Sequence, residues 1–276
     1  MKLQYLGTAA AEGWPALFCN CPACIKAKEL GGKEIRRRSG ALVNDRILID
    51  FSADLYFAKI DLKLDLSVVR HVLITHAHSD HLYPENAWCY LPGIANNIPD
   101  HGVMTFYGSA YSKKVFEKCG DLEGSEAGKC LSFREVKPFE TFMVEGIRVT
   151  ALPADHGCKE SLMYLLADGE EEWLYAHDTG FFREETWQFL KGHRLSYVSL
   201  DCTNGPLNMD YYGHMGFREN LQVRARMLEE GIADGKTVFI CNHFSHNGHM
   251  LHYEMEQRMN PEGFEISYDG MVVQGK

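Results

Sequence analysis

Little in this 276-residue chain suits it to a membrane or to a long polyanion. No stretch approaches the ~20 apolar residues of a spanning helix. The start, Met1-Lys2-Leu3-Gln4-Tyr5-Leu6-Gly7, lacks the long apolar core of a signal peptide and reads as a first strand, so the expected compartment is the cytoplasm. Basic residues are in the minority: 28 Lys and Arg stand against 38 Asp and Glu, a formal net charge of −10. Nucleic-acid binders carry a basic stripe. Here there are only short clusters such as Arg36-Arg37-Arg38, which argues against nucleic acid as a partner but leaves room for a local basic pocket. A paired cysteine framework is also missing. Nine cysteines without a signal peptide point to reduced thiols or metal ligands rather than disulfides.

No internal repeat, low-complexity tract or linker interrupts the chain. Its length and 45% apolar content suffice for a substantial core, so residues 1–276 read as a single mixed α/β domain with layered sheets. Residues 41–50 read as a hairpin around Asn44-Asp45. Strands are expected over 69–74, 103–107, 147–153, 161–167, 172–176, 196–201 and 237–241. Helices are expected over 111–119, over 182–191 before Gly192, and over 217–230, where Phe217, Leu221, Ala225 and Leu228 make an apolar stripe ended by Gly231. Residues 121–129 read as a surface loop.

The most informative stretch is Thr75-His76-Ala77-His78-Ser79-Asp80-His81, which directly follows the apolar run Val72-Leu73-Ile74. A helical zinc motif spaces its histidines four apart, to put both on one face. Here the ligand spacings are two, two and one, which suits a strand running into a tight loop that aims donors at two adjacent points. Imidazoles and carboxylates are ligands for zinc, manganese, iron or nickel. The four donors of this loop cannot saturate two ions. His156, Asp178 and His243, each near an expected strand end, are the candidates for the rest.

In the order HxHxDH, His, Asp, His, over nearly its whole length, the chain resembles the metallo-β-lactamase superfamily. The resemblance implies a four-layer αββα sandwich of class α/β. It implies that His76, His78 and His156 bind one divalent ion, that Asp80, His81 and His243 bind a second, and that Asp178 bridges them. Asp80 is thereby counted in the catalytic machinery. The ions would be zinc or manganese. Hydrolases of the superfamily use a metal-bridging hydroxide as nucleophile, consistent with the way a divalent ion lowers the pKa of bound water and a pair holds a phosphate in line.

Cys19, Cys21 and Cys24 stand in a CxCxxC spacing, which suits tetrahedral zinc with one ligand missing. His246 follows His243 by three. With these residues the likeness narrows to the PhnP-like branch, the phosphoribosyl cyclic phosphodiesterases, whose pattern implies a structural zinc held by Cys19, Cys21, Cys24 and His246. Gly7-Thr8-Ala9, Arg36-Arg37-Arg38-Ser39 and Tyr268-Asp269-Gly270-Met271 agree with that branch as well. The remaining cysteines, Cys158 among them, read as core thiols.

The branch further points to His214, in Tyr211-Tyr212-Gly213-His214, as the general acid for the leaving oxygen. His177 is expected in the core or behind the ligands, Asp155 and Asp201 behind the ligands or in solvent, and His249 and His252 on the surface of a helix, with the pocket as the alternative for His249. Arg36-Arg37-Arg38 is expected either in solvent or on a substrate phosphate. The function implied is a metal-dependent phosphodiesterase opening a small cyclic phosphodiester, with a homodimer as the family-level expectation. Three alternatives stay open: RNase Z-like RNA processing, to which Asn242-His243-Phe244-Ser245 is also similar; lactam or thioester hydrolysis; and a non-catalytic PqqB-like binding protein.

Overall fold

A computed structural model describes residues 1–119, 127–209 and 213–275. Alternation and turn chemistry build two seven-stranded sheets. The first contains β1 (Lys2–Gly7), β2 (Gly40–Val43), β3 (Ile47–Ile49), β4 (His71–Leu73), β5 (Met104–Gly108), β6 (Leu131–Glu135) and the last strand of the chain, β14 (Val272–Gln274). The second contains β7 (Thr141–Val144), β8 (Ile147–Pro153), β9 (Leu162–Ala167), β10 (Glu172–Ala176), β11 (Leu195–Asp201), β12 (Val238–Asn242) and β13 (Phe264–Ile266). The spatial orders are β14-β1-β2-β3-β4-β5-β6 and β13-β12-β11-β10-β9-β8-β7. In each sheet the earlier strands pair antiparallel, while β3 to β6 and β10 to β13 run parallel. Parallel strands deliver their carboxyl ends to one edge, where ligand sites of α/β sheets form.

The sheets pack face to face around Tyr5, Val43, Ile49, Leu73, Tyr164 and Tyr175, all buried. The helices are α1 (Pro22–Leu30), α2 (Leu55–Asp61), α3 (Ala110–Glu117), α4 (Ala127–Cys130), α5 (Glu184–Leu190), α6 (Phe217–Glu229) and α7 (His252–Met259). One outer core joins Ala58 of α2 and Phe116 of α3 to Leu48, Val72 and Phe106 of the first sheet. Another joins Trp187 of α5, Val223 and Met227 of α6 and Met255 of α7 to the second sheet. The layering is therefore α/β/β/α, as expected.

The hairpin of β2 and β3 turns at Asn44 and Asp45, both at positive φ (48° and 58°), the conformation that these two residue types tolerate. Gly7 has a different role. A Cβ there would sit 1.9 Å from the Arg38 carbonyl oxygen, so only glycine lets β1 lie this close to residues 37 and 38.

The expected strands and helices are present with ends shifted by one or two residues. Helices α1 and α2 had no counterpart in the expectation. The loop expected over 121–129 falls for residues 121–126 outside the described residues, and 127–130 form a helical turn. Tyr211 and Tyr212 of the His214 motif also lie outside them. Among the described residues no helix is long and apolar enough to cross a membrane.

Candidate metal centre

The loop after β4 and the ends of β8, β10, β11 and β12 meet at one edge of the sandwich. His76, His78 and His156 converge there: His78 Nδ1 lies 3.0 Å from His76 Nε2 and 3.2 Å from His156 Nε2. Such gaps suit neighbouring ligands of a tetrahedral ion with bonds of ~2.0–2.1 Å. Beside them, Asp178 Oδ2 lies 2.6 Å from His81 Nε2 and 3.0 Å from His243 Nε2, and Asp80 Oδ2 lies 3.2 Å from His81 Nε2. The other Asp178 oxygen, Oδ1, faces His156 Nε2 at 3.8 Å. One carboxylate thus stands between two imidazole groups and offers an oxygen to each.

His81 Nε2, His243 Nε2 and Asp178 Oδ2 are buried, and none has a hydrogen bond of acceptable geometry. Buried polar atoms are nearly always paired. Three such atoms converging on one point fit a divalent cation.

The far sides of the His76, His81, His156 and His243 rings are fixed. His81 Nδ1 donates to Asp50 Oδ2 at 2.7 Å, and Asp50 Oδ1 accepts from the Thr75 amide and hydroxyl, both at 2.8 Å. His76 Nδ1 meets the Thr75 hydroxyl at 3.0 Å, and His156 Nδ1 donates to the Gly213 carbonyl at 3.0 Å. His243 Nδ1 donates to Thr203 Oγ1 at 2.8 Å, whose hydroxyl donates to Asp201 Oδ2 at 3.0 Å. These contacts set the tautomer that leaves Nε2 free to ligate.

At the strand ends that build this centre, three non-glycine residues take positive φ: Asp50 at 66°, Asp178 at 49° and His243 at 62°. Each costs on the order of 1 kcal/mol in an uncommon backbone region. That bend turns the side chain out of the strand alternation and toward the centre.

His214 lies beside this group, its Nδ1 3.0 Å from Asp201 Oδ2 and 3.5 Å from Asp178 Oδ1, its ring 4.9 Å from that of His156. Burial opposes its charge, but Asp201 and Asp178 outweigh that and raise its pKa to about 9. Burial likewise opposes charge on His81, yet Asp178, Asp80 and Asp50 push its pKa well above the usual range, whereas burial holds His76 well below it. This concentration of shifted groups marks a functional site.

Cys19, Cys21, Cys24 and His246 form a second donor group. Cys21 Sγ is 3.7 Å from His246 Nδ1, and as N-cap of α1 it accepts from the Cys24 amide at 3.5 Å. Burial opposes the Cys21 thiolate, but these contacts lower its pKa to about 6. Three sulfurs and a ring nitrogen this close fit tetrahedral zinc.

Several expectations need correction. Arg36, Arg37 and Arg38 touch neither solvent chiefly nor this centre. Arg36 is buried and donates to Thr8, the Ser267 carbonyl and His252; Arg37 pairs with Asp61 and Asp269, and Arg38 with Asp54. His252 is buried, not on the surface, while His249 is exposed in the turn before α7. Of the two expectations for Asp155 the solvent side holds: its partly exposed carboxylate pairs with Arg183. Cys89 is exposed, and Cys158 lines a cavity with His156 rather than the deep core. His177 is in the core as expected, bonded to Ser199. Asp50, Thr75 and Thr203 were not singled out beforehand. Only the charged Asp50 just past a strand offered a signal, and a weak one.

A family model described as the beta-lactamase superfamily domain matches residues 45–233, more than half of the chain. The chain belongs to the beta-lactamase superfamily, whose members are metal-dependent hydrolases. Its fold is similar to that of a diphosphatase of the PhnP family, with a TM-score of 0.77 and 18% identity, covering 99% of this chain and 96% of that one. It is similar to zinc-bound PqqB from Methylobacterium extorquens (TM-score 0.68, 14% identity, all of both chains). Human short-form tRNase Z is a further neighbour (0.68, 16%, 99% of both). At these identities the likeness is one of fold. A ribonuclease Z from Listeria innocua is 29% identical over 112 residues, 40% of this chain and 34% of that protein; this superfamily chain thus spans about a third of that relative's length.

Proposed function

We propose that this chain is a metal-dependent phosphodiesterase that opens a small cyclic phosphodiester, such as a ribose cyclic phosphate. The observation that carries the reading is Asp178, whose two oxygens are each turned to a separate imidazole group. His76, His78 and His156 would hold one zinc or manganese ion, and Asp80, His81 and His243 the other. When bound, such a pair supplies an activated water and positive charge for the phosphate oxygens. Asp178, buried and shared, fixes the spacing of the two donor groups. His214, oriented by Asp201 at 3.0 Å, would give its proton to the leaving oxygen.

A small substrate is supported by the cavity of about 460 Å³ beside His156, which Ser109, Lys137, Ser161 and Arg183 also line. Its volume is that of a site for a small molecule. Cys19, Cys21, Cys24 and His246 would bind a structural zinc that ties the amino-terminal loop to the loop carrying His243.

Action on tRNA precursors is the second reading, favoured by the ribonuclease Z likeness. The net charge of −10 disfavours it, because a long polyanion would be repelled.

The test is hydrolysis of bis(p-nitrophenyl) phosphate by protein stripped with chelator and then reloaded with counted zinc or manganese. Activity should vanish on stripping and return as the ions are restored. Undiminished activity of the stripped protein would refute the reading.

A further inference from the structure

On the outer face of the first sheet, away from the donor groups, lies a second cavity of about 300 Å³. It opens between α2 and the turn-rich segment 84–98. Its walls come from Leu48, Phe51, Leu55, Tyr90, Ile98 and Met104, and the sole charged residue lining it is Lys59. Large apolar side chains stand exposed around it: Tyr56 at 64% and Trp88 at 46% of their full accessibility. Pockets of this size, mostly apolar with a few polar groups, are where small molecules bind. Among the described residues Lys59 makes no ion pair, unlike Lys2, Lys26 and Lys33.

We infer that this cavity is a binding site for a small amphipathic anion, an aromatic or aliphatic body of about ten carbons with one acidic head. The size follows from the volume, about twice that of an apolar cavity that takes benzene. The aromatic preference follows from Phe51, Tyr56 and Tyr90, and the anionic head from Lys59 on the exposed side of α2. Such a ligand would rest against the back of the loop with the HxHxDH motif. Phe51, in the cavity wall, accepts from the Tyr83 amide at 2.8 Å and donates to the His81 carbonyl at 2.7 Å. This site stands apart from the proposed phosphodiester chemistry.

Cys89 lines the cavity and is exposed, so its thiol reports occupancy, whereas the half-buried Cys119 does not line it. The experiment follows N-ethylmaleimide modification of each cysteine, by peptide mass spectrometry, on the full metal-loaded chain with 2-naphthoate or the neutral 2-naphthamide. Saturating naphthoate should slow Cys89 modification about tenfold and leave Cys119 unchanged. Ala95→Trp, which fills the cavity, should abolish the protection; Ile98→Phe serves if that variant does not fold. Lys59→Gln should raise the half-protecting concentration about tenfold, the loss of one charge-assisted contact. No protection of Cys89 at millimolar naphthoate, equal slowing at Cys119, or protection surviving both filling variants would overturn the site. Equal protection by the amide would overturn the anionic class. Cys89 masked in the free protein and unmasked on dilution, as a dimer dissociates, would mark a subunit interface instead and also overturn the proposal.

Discussion

Among single residues, His214 has the most specific assignment. It reaches Asp201 at 3.0 Å and Asp178 at 3.5 Å, which puts its ring beside the donor groups, where the proposed acid has to stand. A general acid matters in proportion to the basicity of the oxygen it protonates. His214→Ala should therefore cut kcat on an alkyl or ribose leaving group by about 10²–10³-fold, while a nitrophenolate ester loses less than about tenfold. Steady-state kinetics on both substrates checks this, and equal losses would remove the acid role. The residues carrying this chemistry differ in how readable they were. His76, His78, Asp80 and His81 declare themselves because four donors crowd one seven-residue turn. Asp50 and Thr203 do not, because each meets its histidine across a gap of 31 or 40 residues that only strand pairing closes.

Elements carry the next level of organisation. Helix α1 begins at Cys21, whose sulfur caps it, and the same sulfur faces His246 beyond β12. The proposed zinc would give the two chain segments a common anchor in addition to the backbone pairing of Phe244 with Thr8 and Ala10. Cys24→Ala should lower the metal content from three ions per chain to two and depress the melting temperature, as read by elemental analysis and calorimetry. Wild-type protein with only two ions would contradict the structural zinc.

Helix α7 corrected the reading of His252. His252 is expected on the surface of a helix, but His252, Met255 and Met259 share the buried face of α7, and the two methionines join the core of the second sheet. His252 Nδ1 accepts from Arg36 at 2.8 Å and its Nε2 donates to Glu256 at 2.9 Å, a pattern only the neutral ring can satisfy. Burial and Arg36 accordingly lower its pKa to about 4. A depressed histidine contributes stability that is present above its unfolded pKa of about 6.5 and is lost as pH falls toward 4. Its share is on the order of 2 kcal/mol. Urea unfolding should show wild-type stability falling between pH 6.5 and 4 more steeply than that of His252→Gln. Parallel slopes would contradict the assignment.

Across the whole molecule, strand and helix periodicity made a mixed α/β domain with layered sheets legible, and the α/β/β/α order followed only from the family resemblance carried by the motifs. The matching pairing pattern of the two sheets was not legible. Nothing in the sequence repeats, and the symmetry lies in backbone direction alone. Charge distribution was misread locally for a similar reason. With 38 carboxylates to 28 basic groups, Arg37 and Arg38 find acidic partners within the fold, and Arg36 is buried against Thr8, the Ser267 carbonyl and His252, so the triplet is not free for a phosphate. Lys137 and Arg183 beside His156, distant in sequence, are the cations that reach the cavity next to the donor groups.

The relative kcat/KM for a 2′,3′-cyclic nucleotide, a ribose 1,2-cyclic phosphate, a tRNA precursor and a lactam, measured on protein with its metal content counted, tests the proposed function most directly. One of the small cyclic diesters should be opened at least about a hundredfold more efficiently than either the tRNA precursor or the lactam. A preference for the tRNA precursor or the lactam would contradict a centre built for small cyclic phosphodiesters.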